Sequence, residues 1–210
     1  MAARCLPPMS PTLSTDLQLT FKRNMKKILF FIISAFFLTG CAVVTSENII
    51  GSAAVQLAPE AWNGIWRNED IALHIKVIDP EQGLVKIAWF EDKGNDLQPE
   101  TITVQITQGE KWQYLTLLDG SLYKDLEKYC WGRIEKEGKR LLFWLPDPER
   151  FELAVQANSL AGKVITIKKE NYPSTHVRLS GSAEMIIKEV ESGGGAYFLW
   201  DKPLTFIKID

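Results

Sequence analysis

The chain has 210 residues, 46% hydrophobic and 24% charged, a balance that fits a globular protein of one domain with appendages and excludes a disordered chain. Residues 1–40 hold five of the 24 basic residues (Arg4, Lys22, Arg23, Lys26, Lys27) and one of the 26 acids (Asp16), which leaves 19 bases against 25 acids, a net of −6, from Cys41 onward. An acidic domain is repelled by phosphate backbones, so nucleic acid is not an expected partner.

The first 24 residues are polar, Pro-containing and without pattern, whereas Met25-Lys26-Lys27 reads as a natural start. Residues 1–24 are therefore expected to be an upstream extension, the alternative being a long basic leader. Lys26 and Lys27 precede an apolar run from Ile28 to Leu38. A positive region followed by ~7–15 apolar residues is the pattern of an export signal. The run ends in Leu38-Thr39-Gly40-Cys41, which resembles the lipobox of bacterial lipoproteins. The resemblance implies a signal peptide over 25–40, cut between Gly40 and Cys41 by the lipoprotein-processing machinery. It also implies a diacylglyceryl thioether and an N-acyl chain on Cys41, whose thiol is the nucleophile that accepts the lipid. Two or more acyl chains hold a protein on a bilayer stably. Ala42, where such families place Asp for retention at the inner membrane, implies sorting to the outer membrane, facing the periplasm. The competing reading is an uncleaved membrane helix over Ile28–Val44, at the short limit for a span.

Residues 41–60 mix small, polar and apolar types and are expected to be the lipidated N-terminus and a tether to a β-rich domain over 61–210. Ile71, Leu73, Ile75 and Val77 alternate with Ala72, His74 and Lys76, and Ile102, Val104 and Ile106 alternate with threonines and Gln105. Period two marks half-buried strands. Val85, Ile87 and Trp89 form another such set. Strands are also expected over 111–118, 129–135, 139–145, 163–168, 176–179, 196–200 and 204–209, with Glu137-Gly138 turning a hairpin. Leu141-Leu142-Phe143-Trp144 is apolar on both faces.

Two segments read as helices. Asp147-Pro148-Glu149 supplies an N-cap, a Pro at the first turn and a dipole-compatible acid. Ala183, Ile186, Ile187 and Val190 follow helical spacing, with Gly193 after the end. Gly193-Gly194-Gly195 is a turn. The expected fold is mainly β: an antiparallel sheet or small barrel with two short helices.

Gly64-Ile65-Trp66 is similar to the Gly-x-Trp motif that opens the first strand of lipocalin-like barrels, and Arg178 lies just before the second helix. That resemblance implies a closed barrel with Arg178 covering Trp66 at its bottom, and a carrier of a small apolar ligand or lipid.

Catalytic equipment is thin. Beyond Cys41 the domain has one cysteine, Cys130, set between aromatics and read as an inert thiol rather than a nucleophile. Its only histidines, His74 and His176, have no metal-ligand spacing, and no Gly-x-Ser-x-Gly elbow is present, so no catalytic residue, metal or further cofactor is expected. Glu91, Asp92 and Asp96 read as a polar hairpin turn rather than a calcium loop. Of the seven tryptophans, Trp66, Trp89 and Trp112 are the candidates for an inward, ligand-contacting set. These readings leave a membrane-anchored, non-catalytic envelope module that docks on a protein partner, with the lipocalin-like carrier as the alternative and an enzyme centred on His176 as the least expected.

Overall fold

A strand that alternates apolar and polar residues has one dry face, and a sheet of such strands must cover it. The computed structural model, which describes residues 43–92, 97–118, 128–168 and 173–209, covers it by closing the sheet on itself. In chain order the elements are β1 (Val43–Ser46), β2 (Ala53–Ala54), α1 (Pro59–Trp62), β3 (Gly64–Arg67), β4 (Ala72–Asp79), β5 (Leu84–Asp92) and β6 (Leu97–Gln108). Then come β7 (Gln113–Leu117), β8 (Tyr129–Glu137), β9 (Arg140–Trp144), α2 (Pro148–Gln156), β10 (Gly162–Lys168), β11 (Pro173–Leu179), α3 (Ala183–Ser192) and β12 (Leu204–Ile209).

Strands β3 to β9 run up and down, each antiparallel to the next, and β12 pairs with both β9 and β3. The result is the expected mainly-β fold, an eight-stranded antiparallel closed barrel, with three short helices among the described residues rather than two. Closure pairs every strand of the ring on both sides and removes sheet edges.

The alternating residues face the axis. Trp66 of β3, Ile75 and Val77 of β4, Val85 and Ile87 of β5, Val104 and Ile106 of β6 and Phe206 of β12 form one core with Leu115, Ile134 and Leu141. Gly132 sits among them because Phe143 takes its space: a Cβ there would meet the Phe143 ring at 2.6 Å. One end of the barrel is plugged by α1. The Trp66 indole N–H donates to the Trp62 carbonyl at 2.8 Å, and the Val77 N–H donates to the Asn63 side chain at 2.7 Å.

The segment between β9 and β12 holds α2, β10, β11 and α3. Strands β10 and β11 form an antiparallel hairpin, β1 adds parallel to β11, and Thr45 and Ser46 of β1 pair with Cys130 and Tyr129 at the start of β8. Strand β8 thus belongs to both sheets. Behind this side sheet lies a second core, where Val44, Val177 and Leu179 meet Phe151 of α2 and Ile186, Ile187 and Val190 of α3. The helix ends are as the sequence indicates: Asp147 accepts the Glu149 N–H at 3.0 Å, Ser182 accepts the Met185 N–H at 3.3 Å, and Gly193 follows α3.

Two expectations are corrected. The tether is not one: from Val43 the chain is folded into the domain, because Val44 and Ile50 are apolar residues with a core to enter. Residues 196–200 do not form a strand; only Phe198 makes a lone bridge, to Pro146, since the glycines before it curl the chain. Trp66 is completely buried. Trp66→Ala is therefore expected to cost about 3–5 kcal/mol, seen as a lower urea midpoint at an unchanged slope.

Candidate functional site

Of the three tryptophans singled out from sequence, two belong to the barrel core and the third does not. Trp66 lies in the plugged half of the barrel, with the ammonium of Lys208 at 5.9 Å from its ring. Arg178, expected to cover it, is a residue of β11 in the side sheet, so that expectation is corrected. Trp89 faces the barrel interior at the opposite end, half-buried with Leu73, Ile102, Leu117, Phe143 and Leu204. Trp112 is outside the barrel altogether: it lies in the β6–β7 turn and packs in the second core, edge-on to Phe198 at 6.0 Å. Its phase with apolar neighbours was real, but the apolar region it faces is the other one.

What the second core assembles instead is a buried ionic cluster. The strands β7–β9 are apolar on both faces, so Tyr114, Trp131, Leu142 and Trp144 point outward under the segment that carries α2 and α3. Arg133 shares that outward phase with Trp131. Its guanidinium carbon lies 4.6 Å from the Trp112 ring centre, 4.3 Å from Trp144 and 4.4 Å from Trp200, an aromatic box that suits a planar, weakly hydrated cation. One Arg133 nitrogen donates to Glu135 at 2.6 Å, while Nε and Nη1 have no hydrogen-bond partner among the described residues. Burial pulls the Arg133 pKa down, opposed by Glu135.

Beside it Glu191 of α3 is 2% exposed. It would not survive as a buried carboxylate without donors. The Lys111 N–H donates to Oε2 at 2.7 Å, the Tyr114 hydroxyl to Oε1 at 2.9 Å and the Trp112 N–H to Oε1 at 3.4 Å. Gly109 leaves the room, since a Cβ there would stand 2.3 Å from Oε1. Burial first, and Glu191 second, hold the Tyr114 phenol above its usual range. The cluster clamps α3 to the barrel and presents no free nucleophile. Both residues had a signal in the sequence. Glu191 falls four after Ile187 on the apolar stripe of α3, and Arg133 alternates in phase with Trp131.

The remaining candidates are dispersed. His74 is exposed on the barrel wall opposite Ile65, and His176 lies in the side sheet. Among the described residues no group of three or more His, Cys, Asp or Glu side chains is placed to hold a metal, and no helix is long and apolar enough to cross a membrane. Asp96 and the side chains of Glu91 and Asp92 lie outside the described residues. Burial pushes the Cys130 thiol up to about 11.

Cys41 itself lies outside the described residues, which begin two positions after it at Val43. Residues 25–42 match the model for the prokaryotic membrane lipoprotein lipid attachment site. The chain is a bacterial lipoprotein. No curated protein and no solved structure matches the chain. The lipoprotein's attachment residue is thus joined directly to the side sheet, whose strand β1 starts at Val43.

Glu191→Ala would leave Tyr114 and two backbone N–H groups without their acceptor, and is expected to cost about 3 kcal/mol in chemical denaturation. Only the thiolate reacts, so native Cys130 is expected to be alkylated at pH 8 on the order of a hundredfold more slowly than a free cysteine, with the rate climbing towards pH 11.

Proposed function

We propose that the protein is an envelope lipoprotein whose barrel is a non-catalytic interaction module, held on the periplasmic side of the outer membrane by acyl chains on Cys41. The outer-membrane assignment follows from Ala42 beside the lipidated cysteine. The observation that carries the module reading is the barrel axis. Trp66, Ile75, Val85, Val104 and Ile106 are each at most 1% exposed, so the space a carrier would offer its ligand is occupied by the protein's own side chains.

The outer wall points the same way. Ile65, Ile207 and Ile209 are 49%, 47% and 43% exposed, and Ile209 stands directly opposite Ile65 across the β12–β3 pair. Water-facing positions on neighbouring strands ordinarily carry polar residues, and contiguous exposed apolar side chains mark contact surfaces. An open depression of about 620 Å³ adjoins them, bordered by Arg67, Glu69, Asp70 and Pro203. A partner seated here would bury the isoleucines and meet charge at the rim, the usual anatomy of a protein interface.

The carrier reading retains one specific support, the half-buried ring of Leu73, Trp89, Ile102, Leu117, Phe143 and Leu204 at the unplugged end. Two measurements separate the readings. Solvent extraction of the purified protein is expected to release no stoichiometric non-covalent lipid. A photo-crosslinker at Thr205, beside the isoleucines, is expected to give a discrete protein adduct in intact cells that Ile207→Asp abolishes without loss of folding or membrane association. One lipid per chain, with no such adduct, would reverse the choice.

A further inference from the structure

We infer that the outer face of the β1–β11–β10 sheet rests on the anionic headgroups of the bilayer that holds Cys41, so that the anchor fixes the domain's orientation as well as its place. This rests on the lipid-anchor reading above. One residue, Ala42, separates Cys41 from Val43, and a fully extended chain covers at most ~3.6 Å per residue, so over two steps Val43 is held within roughly 7 Å of the lipidated position. That leaves no length for the domain to swing on. Whatever surrounds the start of β1 is pressed to the membrane surface.

The register states what surrounds it. Val43 stands beside His176 of β11, which stands beside Ile165 of β10; one row further, Thr45 stands beside Arg178, which stands beside Lys163. Side chains alternate between the faces of a strand, so these six share one face. The other face carries Val44, Val177 and Leu179, which belong to the second core with α2 and α3. On the outer face Lys163 and Ile165 are exposed and His176 and Arg178 are half-buried, while Thr45, next to Cys130, is buried. Strands lie ~4.8 Å apart, which places Ile165 roughly 10 Å from Val43.

The charge matches. The charged side chains of β10 and β11 on this face are Lys163 and Arg178, both cationic, within a chain that is −6 from Cys41 onward. A cationic pair beside the point where the anchor attaches favours anionic lipid. Lysine on an edge strand also discourages sheet-to-sheet pairing, which accounts for Lys163 on β10. It does not account for Arg178, because β11 is flanked on both sides.

The test uses the full lipidated protein with Cys130→Ser and a nitroxide on Ile165→Cys or, on the barrel wall, Ile207→Cys. Each is compared in neutral detergent, in phosphatidylcholine vesicles and in phosphatidylethanolamine vesicles containing phosphatidylglycerol. Flotation with vesicles reports the anchor, and collision with a water-soluble nickel chelate reports the face. The expected result is a several-fold loss of chelate access at residue 165 on moving to phosphatidylglycerol-containing vesicles, little change in phosphatidylcholine, and none at residue 207. Lys163→Gln with Arg178→Gln is expected to restore access at 165, with Lys163→Gln alone giving part of the effect. Flotation with unchanged access at 165, or equal shielding in both kinds of vesicle, would overturn the orientation and leave the anchor intact. Failure to float would overturn both.

Discussion

Strands β7–β9 form a wall that is apolar on both sides, and the rest of the molecule is arranged around it. Leu141 and Phe143 face the barrel axis while Leu142 and Trp144 face away, so a closed barrel buries only half of what this wall must hide. A free-standing barrel with such a wall would expose Tyr114, Trp131, Leu142 and Trp144 together. The segment between β9 and β12 resolves this by laying α2, α3 and the side sheet over the wall. The ring is closed by β12, which follows this covering segment in the chain.

Covering a barrel with a separate layer requires that the layer sit in one place. Dispersion between apolar surfaces is not directional, whereas hydrogen bonds to a buried carboxylate are. Glu191 supplies that direction by accepting from Lys111, Trp112 and Tyr114 at the β6–β7 turn and the start of β7. Arg133, boxed by Trp112, Trp144 and Trp200, completes the join from the barrel side. These are the most elaborate polar contacts in the described residues, and they serve registration between the two layers. This arrangement suits the interaction module proposed above: the polar contacts hold a rigid shape, and the barrel wall carries an exposed apolar strand pair.

The absence of slack between Cys41 and β1 changes what the anchor means. A long tether lets a lipoprotein search the space above its membrane; with a one-residue link, the proposed orientation makes the bilayer one more surface against which the domain packs. The basic side sheet would then lie below, and the isoleucine pair of β3 and β12 would be presented on the barrel, away from the attachment strand.

Much of this was legible in the residues. Leu38-Thr39-Gly40-Cys41 behind an apolar run specified the anchor, because export and lipidation read a short linear segment before any fold exists. Period-two alternation gave the barrel strands, and Asp147 and Ala183–Val190 gave the helices, since these depend on neighbours within a few residues. Which core a residue enters was decided only by tertiary structure. Trp112 had an apolar phase, but phase does not say whether the apolar side is the barrel axis or its outer wall. Arg178 lay just before the last helix, where the lipocalin resemblance placed the residue covering Trp66, yet the chain's path put Lys208 there instead. Residues 43–60 looked like a tether because their partners, β6, β8 and β11, come 53 (Ala54↔Thr107) to 133 (Val43↔His176) residues later. Local pattern establishes the existence and face of a strand; its neighbours are chosen by long-range pairing, and those pairings made one chain into two cores.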